Sequence, residues 1–567
     1  MKRVAPTSRS STAYPRKRAV TACQVCRSRR TKCDQKKPRC SFCEKTGAEC
    51  VFDPTALSTF DPASLAILER LDTLEQKIDS IQAQEQQQQQ PSSYLAPFPA
   101  LNAKNDSNTA HTVVKESQHP DSLLPENLDD VLKWPILQDI NYQATESSHI
   151  PSPESDHTSP AQLSLDGDEL NPGITNAYLD SFFANVHPKN PVLDEPYIRR
   201  LVRKVSLEGP SWDSESCLAL LVCANGAITG PFLAPSISSE ELRASPGRRL
   251  FTAALKRIGA TLDSAGIAQA QCLFFAGVYL MSCLRPFDAW RSFLQALAVC
   301  QSFKFMSKAT QTGTPAEESI YWSSWKSERE LRWELGLPDF GTRVSLEPPQ
   351  RFPTLPLTDD EDILRAWYFY LSEISLWRLE TEIRKDMATR LSEPSNNTLN
   401  DLTDISDIYK QQLVACLHSL PSTVSISDSP CHTPETDILR FILQGRSTYV
   451  NELITWPYIA CAVNDFPLEQ KAQAWVTKGL QAHVVRLEVN RVGFYHRHHG
   501  TWLMIRTSAR SACILLAVAR SSMRDLLPVR WEEAVETTVK MLDFWQAEVE
   551  GLAALARFLR HLLSHAT

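Results

Sequence analysis

Glycine is scarce in this chain, and the motifs that usually mark a catalytic site are absent from it. Its 567 residues include only 18 glycines, and no Gly-x-Gly repeat, Walker lysine loop, His-Glu-x-x-His pair or Gly-x-Ser-x-Gly elbow occurs. The longest strongly apolar stretch, Cys272 to Leu284, has 13 residues, fewer than a membrane-spanning helix needs. The N-terminus carries no apolar signal segment. These absences predict a soluble protein that is not an enzyme and has no membrane partner.

Charge is distributed unevenly along the chain. Residues 1–50 hold 14 Lys and Arg against three acidic residues, a net of +11, and the remainder carries −18. A basic segment of about 50 residues followed by an acidic remainder predicts that the basic segment alone binds a polyanion. Nine cysteines scattered among apolar neighbours after residue 50 are typical of a reducing compartment.

Six cysteines within residues 23–50 form two halves of matching spacing, Cys-x2-Cys-x6-Cys; they are Cys23, Cys26, Cys33, Cys40, Cys43 and Cys50. Three thiols in each half are one fewer than a tetrahedral zinc ion takes. Two zinc ions need eight bonds, so two sulfurs must bridge, and the repeat makes Cys23 and Cys40 the expected bridging pair. A disulfide framework would need a secreted chain, and a zinc ribbon or RING would need other ligands, usually including histidine. No histidine precedes His111.

The segment resembles the six-cysteine binuclear zinc cluster of fungal transcription factors, the family typified by the yeast galactose regulator. The resemblance covers about residues 16–52, including the basic run after Cys26 and the loop from Lys37 to Cys40, in which Pro38 is expected to set a rigid turn. It implies two zinc ions per chain and a domain that reads CGG-type triplets in double-stranded DNA.

The basic residues around the cysteines divide into two expected roles. The resemblance places Arg29 and Arg30 at the edge of the major groove, with Arg30 as principal base reader, although family members often carry lysine there. An arginine fork pairs with O6 and N7 of guanine. The other side chains are expected to contact phosphates, which positions the module without specifying sequence, or in two or three cases only to face solvent: Arg27, Lys32, Lys36, Lys37, Arg39 and Lys45.

A short apolar stripe follows the cysteines with the 4-3-4-3 spacing of a coiled coil; it consists of Ile67, Leu71, Leu74, Ile78 and Ile81. It predicts a parallel homodimer, with Arg70 and Glu75 meeting across the two helices. The alternative is an amphipathic helix that packs against the rest of its own chain. Both interpretations stay open because the stripe spans two and a half heptads, fewer than the three or four that identify a coiled coil.

The rest of the chain divides by composition. Residues 86–170 are rich in Ser, Pro, Asp, Asn and Gln and read as a disordered linker, with an acidic-hydrophobic island at 123–140. That island is expected either to be an activation segment or to pack against the helical residues 171–567, with Trp134 as its anchor. Residues 171–567 read as helices, and they loosely resemble the middle homology region of the same regulators.

The predicted fold is a small binuclear zinc cluster, a short coiled coil, a disordered linker and a large all-α regulatory domain. The corresponding segments are a disordered basic arm at 1–22 that can also serve nuclear import, the zinc cluster at 23–52, a linker at 53–64, the coiled coil at 65–85, the linker at 86–170 and the regulatory domain at 171–567.

The predicted function is that of a nuclear, sequence-specific transcription factor that acts with the transcription machinery. The family resemblance favours an activator, and many relatives switch on secondary-metabolite gene clusters. The alternatives are a repressor, or an enzyme or adaptor tethered to DNA whose helical active site has no recognisable motif. The run from His496 to His499 is expected to be a polar turn at a helix end rather than a metal site.

Overall fold

The structure is a computed structural model of the chain. It describes residues 23, 25–26, 29, 31–51, 127–138, 167–234, 238–263, 266–303, 305, 313–338, 348–349, 351–392, 398–426 and 435–566. The chain divides into two compact units, Met1–Val114 and Lys115–Thr567, and each is described here by itself. The predicted basic arm, the linker at 53–64 and the coiled coil at 65–85 lie outside the described residues.

The described part of the first unit is the cysteine-rich segment, with one helix, α1 (Ser41–Thr46). The described part of the second unit is helical and contains no strand. Its helices are α2 (Leu128–Leu132), α3 (Pro172–Asn185), α4 (Glu195–Glu208), α5 (Ser214–Ile228), α6 (Ser239–Ala244), α7 (Pro246–Leu255), α8 (Ile267–Ser282), α9 (Pro286–Cys300), α10 (Pro315–Glu334), α11 (Glu361–Ser392), α12 (Thr398–His418), α13 (Ile438–Val463), α14 (Gln470–Asn490), α15 (Thr501–Ala519), α16 (Trp531–Trp545) and α17 (Leu552–Ala566).

Local sequence sets the ends of these helices. Thr314 accepts a hydrogen bond from the backbone N–H of Glu317, whose carboxylate accepts one from the backbone N–H of Thr314 in return, so α10 begins with a capping box. The same helix is followed by Gly336, whose φ of 61° lies in the left-handed region that favours glycine. Asp360 caps α11 by accepting from the backbone N–H groups of Asp362 and Ile363. The acidic run at 359–362 predicts a cap at a helix N-terminus, and Asp360 has that role.

One continuous apolar core holds the helical unit together. The central helices α5, α8 and α15 are buried along most of their length. Aromatic rings pack edge to face between α10 and α11, where the ring centres of Trp325 and Trp377 lie 5.6 Å apart. Because so many long apolar helices share this core, their burial and not their intrinsic helix propensity is what stabilises them.

Two helix boundaries differ from those that the sequence predicts. The helix expected to end at Pro457 continues as α13 to Val463, with Pro457 inside it. A proline inside a helix costs about 3 kcal/mol, and burial of the neighbouring Trp456 and Tyr458 compensates for it. The single helix expected from Trp531 to Ser564 is two helices, because the chain turns at Gly551, where φ is 82°.

Helix α15 is longer than the stretch from Cys272 to Leu284, which the sequence analysis weighed as a membrane span. Its 19 residues, Thr501–Ala519, have the length and composition to cross a membrane, and 89% of the apolar window is buried inside the helical unit. Such burial is typical of a core helix, and a helix of this kind is weak support for a membrane segment.

Part of the acidic-hydrophobic island is packed on the helical unit. Leu128, Val131 and Leu137 are almost fully buried, and the ring of Trp134 lies 5.9 Å from that of Trp456. Of the two alternatives for this island, the structure therefore shows the one in which it packs against the helical unit. Residues 167–170, at the end of the predicted linker, also form a helical turn, and the Glu169 side chain in this turn is buried and paired with Arg249.

Polar contacts fix the docked segment in place. The guanidinium of Arg506 on α15 binds both carboxylate oxygens of Asp129, at 2.8 and 3.2 Å. The same guanidinium donates to Glu334 at the end of α10, at 2.8 Å. Arg520 donates to the carbonyl oxygen of Ile136 at 3.0 Å. The segment from 127 to 138, called the docked segment below, is thus attached at both of its ends.

Candidate metal centre and nucleic-acid interface

The sulfur atoms of the cysteine-rich segment converge on one point. The Sγ atoms of Cys23, Cys26, Cys40 and Cys43 all lie within 4.8 Å of one another, and all four side chains are buried. Cys33 is buried and its sulfur lies close to that of Cys40. Cys50 is partly buried, and its sulfur accepts from the backbone N–H of Cys40 at 3.3 Å.

The distances between these sulfurs fit zinc coordination. The Sγ atom of Cys23 lies 3.7 Å from that of Cys40 and 3.6 Å from that of Cys43, and Cys26 lies 3.6 Å from Cys40. A tetrahedron of sulfurs around zinc, with Zn–S bonds of about 2.3 Å, has edges of about 3.8 Å. Cys23 and Cys40, the predicted bridging pair, are close both to each other and to a sulfur of the opposite half.

Short local elements build this arrangement. Cys40 is the N-cap of α1, and its sulfur accepts from the backbone N–H of Cys43 at 3.5 Å. The helix ends after one and a half turns at Gly47, which has a φ of 65°, so the chain can return Cys50 to the cluster. In the first half, the backbone N–H of Thr31 donates to the carbonyl of Cys26 at 3.0 Å. The Lys37–Pro38 peptide bond is cis.

The thiols differ in their tendency to ionise. A hydrogen bond from the backbone N–H of Cys43 lowers the pKa of Cys40. Burial opposes ionisation of Cys23, but hydrogen bonds from Cys26 outweigh it, and the pKa of Cys23 is lowered. Burial raises the pKa of Cys26 to about 12 and also raises that of Cys43. Thiolate is the form that binds zinc, and the two thiols whose pKa is lowered are the predicted bridging pair.

One residue of this module was not singled out by the sequence analysis. The carboxylate of Asp34 accepts from the backbone N–H of Ser41 at 2.9 Å and also from the Ser41 hydroxyl, which ties the loop after Cys33 to the start of α1. These hydrogen bonds lower the pKa of Asp34. No sequence signal marks this role, because the contact spans seven residues and the other half of the repeat has no acid after its third cysteine.

The predicted DNA contacts that the structure describes are all solvent-exposed; they are Arg29, Lys32, Lys36, Lys37, Arg39 and Lys45. Arg27 and Arg30 lie outside the described residues, and so does the predicted dimerisation stripe: Ile67, Leu71, Leu74, Ile78 and Ile81. Exposed cations around a buried cluster of sulfurs form a surface that can approach phosphates.

The histidine run near α15 is buried, whereas the sequence predicts a polar turn. His496 and His498 are both buried, and their rings are stacked 5.6 Å apart. Burial lowers the pKa of His496 to about 4, and it also lowers the pKa of His498 and His499. Within the described residues, the groupings of metal-ligating side chains lie in the cysteine module and not at these histidines. The run does lie at a helix end, because it directly precedes α15, and the hydroxyl of Thr501, the first residue of that helix, donates to the carbonyl of His496 at 3.0 Å.

Buried sulfurs at the spacing of zinc ligands, surrounded by exposed cations, are the arrangement expected of a zinc-binding module. Comparison with known proteins identifies two domain families in the chain. Residues 21–57 match the fungal Zn(2)-Cys(6) binuclear cluster domain, and residues 179–334 match the fungal specific transcription factor domain. The chain therefore contains both domains, and the six-cysteine domain binds two zinc ions. No solved structure matches the chain.

The chain is similar to several proteins that are named as transcription factors. The chain is 28% identical over 280 residues to a protein of Aspergillus rugulosus named "Putative transcription factor ecdB", a match that spans 48% of this chain and 45% of that relative. It is 41% identical over 58 residues to "Oleate-activated transcription factor 1" of Saccharomyces cerevisiae, which covers 10% of this chain and 6% of that protein. It is also 41% identical over 54 residues to "Zn(2)-C6 fungal-type transcription factor afumD" of Aspergillus fumigatus, covering 10% and 14%. These matches thus span less than half the length of each relative.

Proposed function

We propose that this protein is a nuclear transcription factor that binds specific sites in double-stranded DNA through its zinc cluster. The observation that carries the proposal is the convergence of buried cysteine sulfurs, 3.6 to 3.7 Å apart, beneath a surface of exposed lysines and arginines. The match of residues 179–334 to the fungal specific transcription factor domain supports a regulatory role for the helical unit.

The proposed ligands of the two zinc ions are all six cysteines: Cys23, Cys26, Cys33, Cys40, Cys43 and Cys50. Cys23 and Cys40 bridge the ions, which is consistent with their short distance to each other and to the opposite half. Bound zinc supplies the cross-links that fix the short helical turns and loops of this module, whose own apolar core is too small to do so.

The basic residues act in two ways in this proposal. Arg29 and Arg30 read guanines of a CGG triplet from the major groove, because a guanidinium can donate to O6 and N7 together. Lys37 and the other exposed cations of the module contact phosphates and position it on the duplex. Their exposure in the structure supports this role, since a phosphate contact needs a side chain that reaches solvent.

The protein acts as a homodimer, through the stripe at residues 67–81, and works with the transcription machinery. It is proposed to activate its target genes, and these include a secondary-metabolite gene cluster, a proposal that rests on the family resemblance alone. A repressor is the second candidate, and a DNA-tethered enzyme or adaptor the third.

Genome-wide footprinting of the protein in its host cell tests the proposal. We expect wild-type protein to protect sites that contain CGG triplets and the Cys23→Ala variant to protect none, because that variant loses a bridging ligand. Transcript measurement in the same cells then separates the candidates. An activator lowers transcription near the footprints when it is removed, and a repressor raises it. The absence of any CGG-containing footprint for the wild type would contradict the proposed function.

A further inference from the structure

The loop between Cys33 and Cys40 carries three of the exposed cations that are proposed to contact phosphates: Lys36, Lys37 and Arg39. The cysteines at its two ends are buried and are proposed zinc ligands. Within the part of the chain that the structure describes, residues 34–39 make no backbone-to-backbone hydrogen bond. Such hydrogen bonds are the usual source of order in a chain segment. The conformation of this loop therefore depends on contacts that side chains supply.

Asp34 supplies such contacts from the first position of the loop. Its carboxylate accepts from the backbone N–H of Ser41 at 2.9 Å, and its second oxygen accepts from the Ser41 hydroxyl. Ser41 is the first residue of α1, so its N–H has no acceptor inside that helix. The Ser41 hydroxyl, the Ser41 N–H and the backbone N–H of Lys36 all contribute to a lowered pKa of Asp34. The carboxylate thus joins the start of the loop to the helix that follows its end.

The backbone at Gln35 shows why this loop needs support. Gln35 has a φ of 60°, in the left-handed region that residues other than glycine, asparagine and aspartate seldom adopt. Such a conformation is unfavourable for glutamine and persists where neighbouring contacts hold it. The Asp34 carboxylate interacts with backbone N–H groups on both sides of Gln35, those of Asp34 itself and of Lys36. It is therefore placed to hold this turn.

We propose that Asp34 is a positioning residue for DNA binding, which holds the loop in the form that presents Lys36, Lys37 and Arg39 to phosphates. The inference rests on the proposed DNA-binding function and adds to it a residue that does not itself contact DNA. As a charge alone, Asp34 lowers the attraction of the module for phosphates. Charge and positioning therefore predict opposite effects of removing this carboxylate.

Two substitutions separate the charge of Asp34 from its hydrogen bonds. Asp34→Asn and Asp34→Ala both remove one negative charge. The asparagine amide has the shape of the carboxylate, and its oxygen can accept from the Ser41 N–H while its NH2 group donates to the Ser41 hydroxyl. Alanine can do neither, so a difference between the two variants reports on the hydrogen bonds. Glu44→Gln, at an exposed carboxylate of α1, measures the effect of one charge elsewhere in the module.

The experiment is fluorescence anisotropy of the full-length, zinc-loaded protein at several salt concentrations, on a duplex with one CGG triplet and on a duplex with CAG in its place. We expect Asp34→Asn and Glu44→Gln to bind as tightly as the wild type or up to about threefold more tightly, because each has one negative charge fewer. Asp34→Ala should bind both duplexes about tenfold more weakly than Asp34→Asn, because phosphate contacts are lost.

Two further quantities distinguish lost phosphate contacts from a lost fold. The slope of log affinity against log salt should become shallower by about one unit in Asp34→Ala. The preference for CGG over CAG should stay unchanged, because phosphate contacts carry no sequence information. An unfolded fraction would instead lower the amount of protein that binds and leave the salt slope of the folded remainder as it is.

Metal content is the control for the integrity of the module. Native mass spectrometry should find two zinc ions in each variant. If Asp34→Ala holds fewer, Ser41→Ala takes its place, because it keeps every charge and removes only the hydrogen bond between the hydroxyl and Asp34. Ser41→Ala should keep both zinc ions and bind DNA about threefold more weakly than the wild type.

The outcomes that overturn the positioning role differ from the one that overturns the proposed function. Equal affinities of Asp34→Ala and Asp34→Asn would refute the positioning role, and so would weaker binding by Asp34→Ala with an unchanged salt slope. For Ser41→Ala, either wild-type affinity or the loss of zinc would do the same. A wild-type protein that binds neither duplex would refute the proposed function, and this inference with it.

Discussion

The zinc module and the helical unit achieve stability by opposite means. The buried core of the module consists of five cysteines, with only a few partly buried side chains, such as Val25 and Phe42, packed against them. The core of the helical unit is a continuous cluster that includes residues from every one of its long helices. The module thus depends on a few strong metal–sulfur bonds, and the helical unit on many weak apolar contacts.

This difference determines how each unit tolerates change. A cysteine of the module has no substitute in this proposal, because each sulfur would hold one or two zinc ions and no other side chain would replace it. In the helical unit, the loss of one apolar side chain costs about 2–5 kcal/mol and is spread over many neighbours. The four predictions below test this contrast and its consequences for DNA binding.

The largest expected effect is that of zinc removal. A chelator should unfold the cysteine module of the full-length protein and leave the helical signal of the second unit in place. Structural zinc supplies on the order of 10–16 kcal/mol per site, which far exceeds what a core of this size can provide. Native mass spectrometry should find two zinc ions per chain, and circular dichroism after chelation should retain most of its helical amplitude.

Two cysteine variants test whether the sulfur of Cys23 bridges the two zinc ions. Cys23→Ala should cost both ions, because its sulfur is proposed to bridge them, whereas Cys33→Ala removes a ligand from one ion only and should leave part of the metal bound. A stoichiometry of one zinc ion in the wild type, or equal metal loss in the two variants, would rule out the bridged arrangement.

The same contrast explains what could be predicted from the sequence. The spacing of six cysteines predicts the zinc cluster, because ligands of one metal must be close in space and these are also close along the chain. The apolar runs at 216–227 and 268–284 and the amphipathic run at 319–335 also predict helices, and α5, α8 and α10 lie within a few residues of these bounds. The continuation of α13 through Pro457 was not predicted, because tertiary packing outweighs the local cost of the proline.

The polar contacts inside the helical unit could not be predicted. Asp129 and Arg506 are separated by 377 residues in the chain, and nothing in either neighbourhood indicates the other. The burial of His496 and His498 was missed because a polar run suggests exposure, and here the helices around it enclose it.

The second prediction concerns pairing. The double variant Leu74→Asp/Ile78→Asp should abolish dimerisation, because aspartates placed in the apolar seam would face each other without partners. Affinity for a site with two triplets should fall by about 10²–10⁴, the usual gain from tethering two modules, while affinity for a single triplet stays unchanged. Gel shift and analytical ultracentrifugation on the full-length protein measure both quantities.

The matched control is Thr73→Asp/Gln76→Asp, which adds the same charge at positions that face away from the predicted seam. It should remain dimeric. A wild-type protein that sediments as a monomer at micromolar concentration, with and without DNA, would end the homodimer proposal and assign the stripe to packing on its own chain.

The third prediction separates base reading from phosphate contact. Arg30→Ala should reduce the preference for a CGG over a CAG triplet by about 1–3 kcal/mol, because a bidentate contact with guanine is lost. Lys37→Ala should weaken binding to all sequences alike and reduce the slope of log affinity against log salt by about one unit. Fluorescence anisotropy at several salt concentrations measures both effects. If Arg30→Ala still discriminates the two triplets as the wild type does, another residue reads the base.

The smallest expected effect is that of loosening the docked segment. Asp129→Asn removes the charge that pairs with Arg506 at 2.8 and 3.2 Å. The pair is partly exposed, so its loss should weaken docking by about 1 kcal/mol. Local opening should then be about fivefold more frequent, and hydrogen exchange of the backbone amides in residues 127–138 faster by the same factor.

Asp130→Asn is the matched control for this change. Asp130 lies next to Asp129 in the first turn of α2, so the two substitutions alter the helix-end electrostatics alike. Among the residues that the structure describes, its side chain pairs with the exposed Lys133 of the same segment, at 2.9 Å, and its loss should leave exchange nearly unchanged. Equal acceleration in both variants would mean that the charge of the helix end, and not the ion pair with α15, holds the segment on the helical unit.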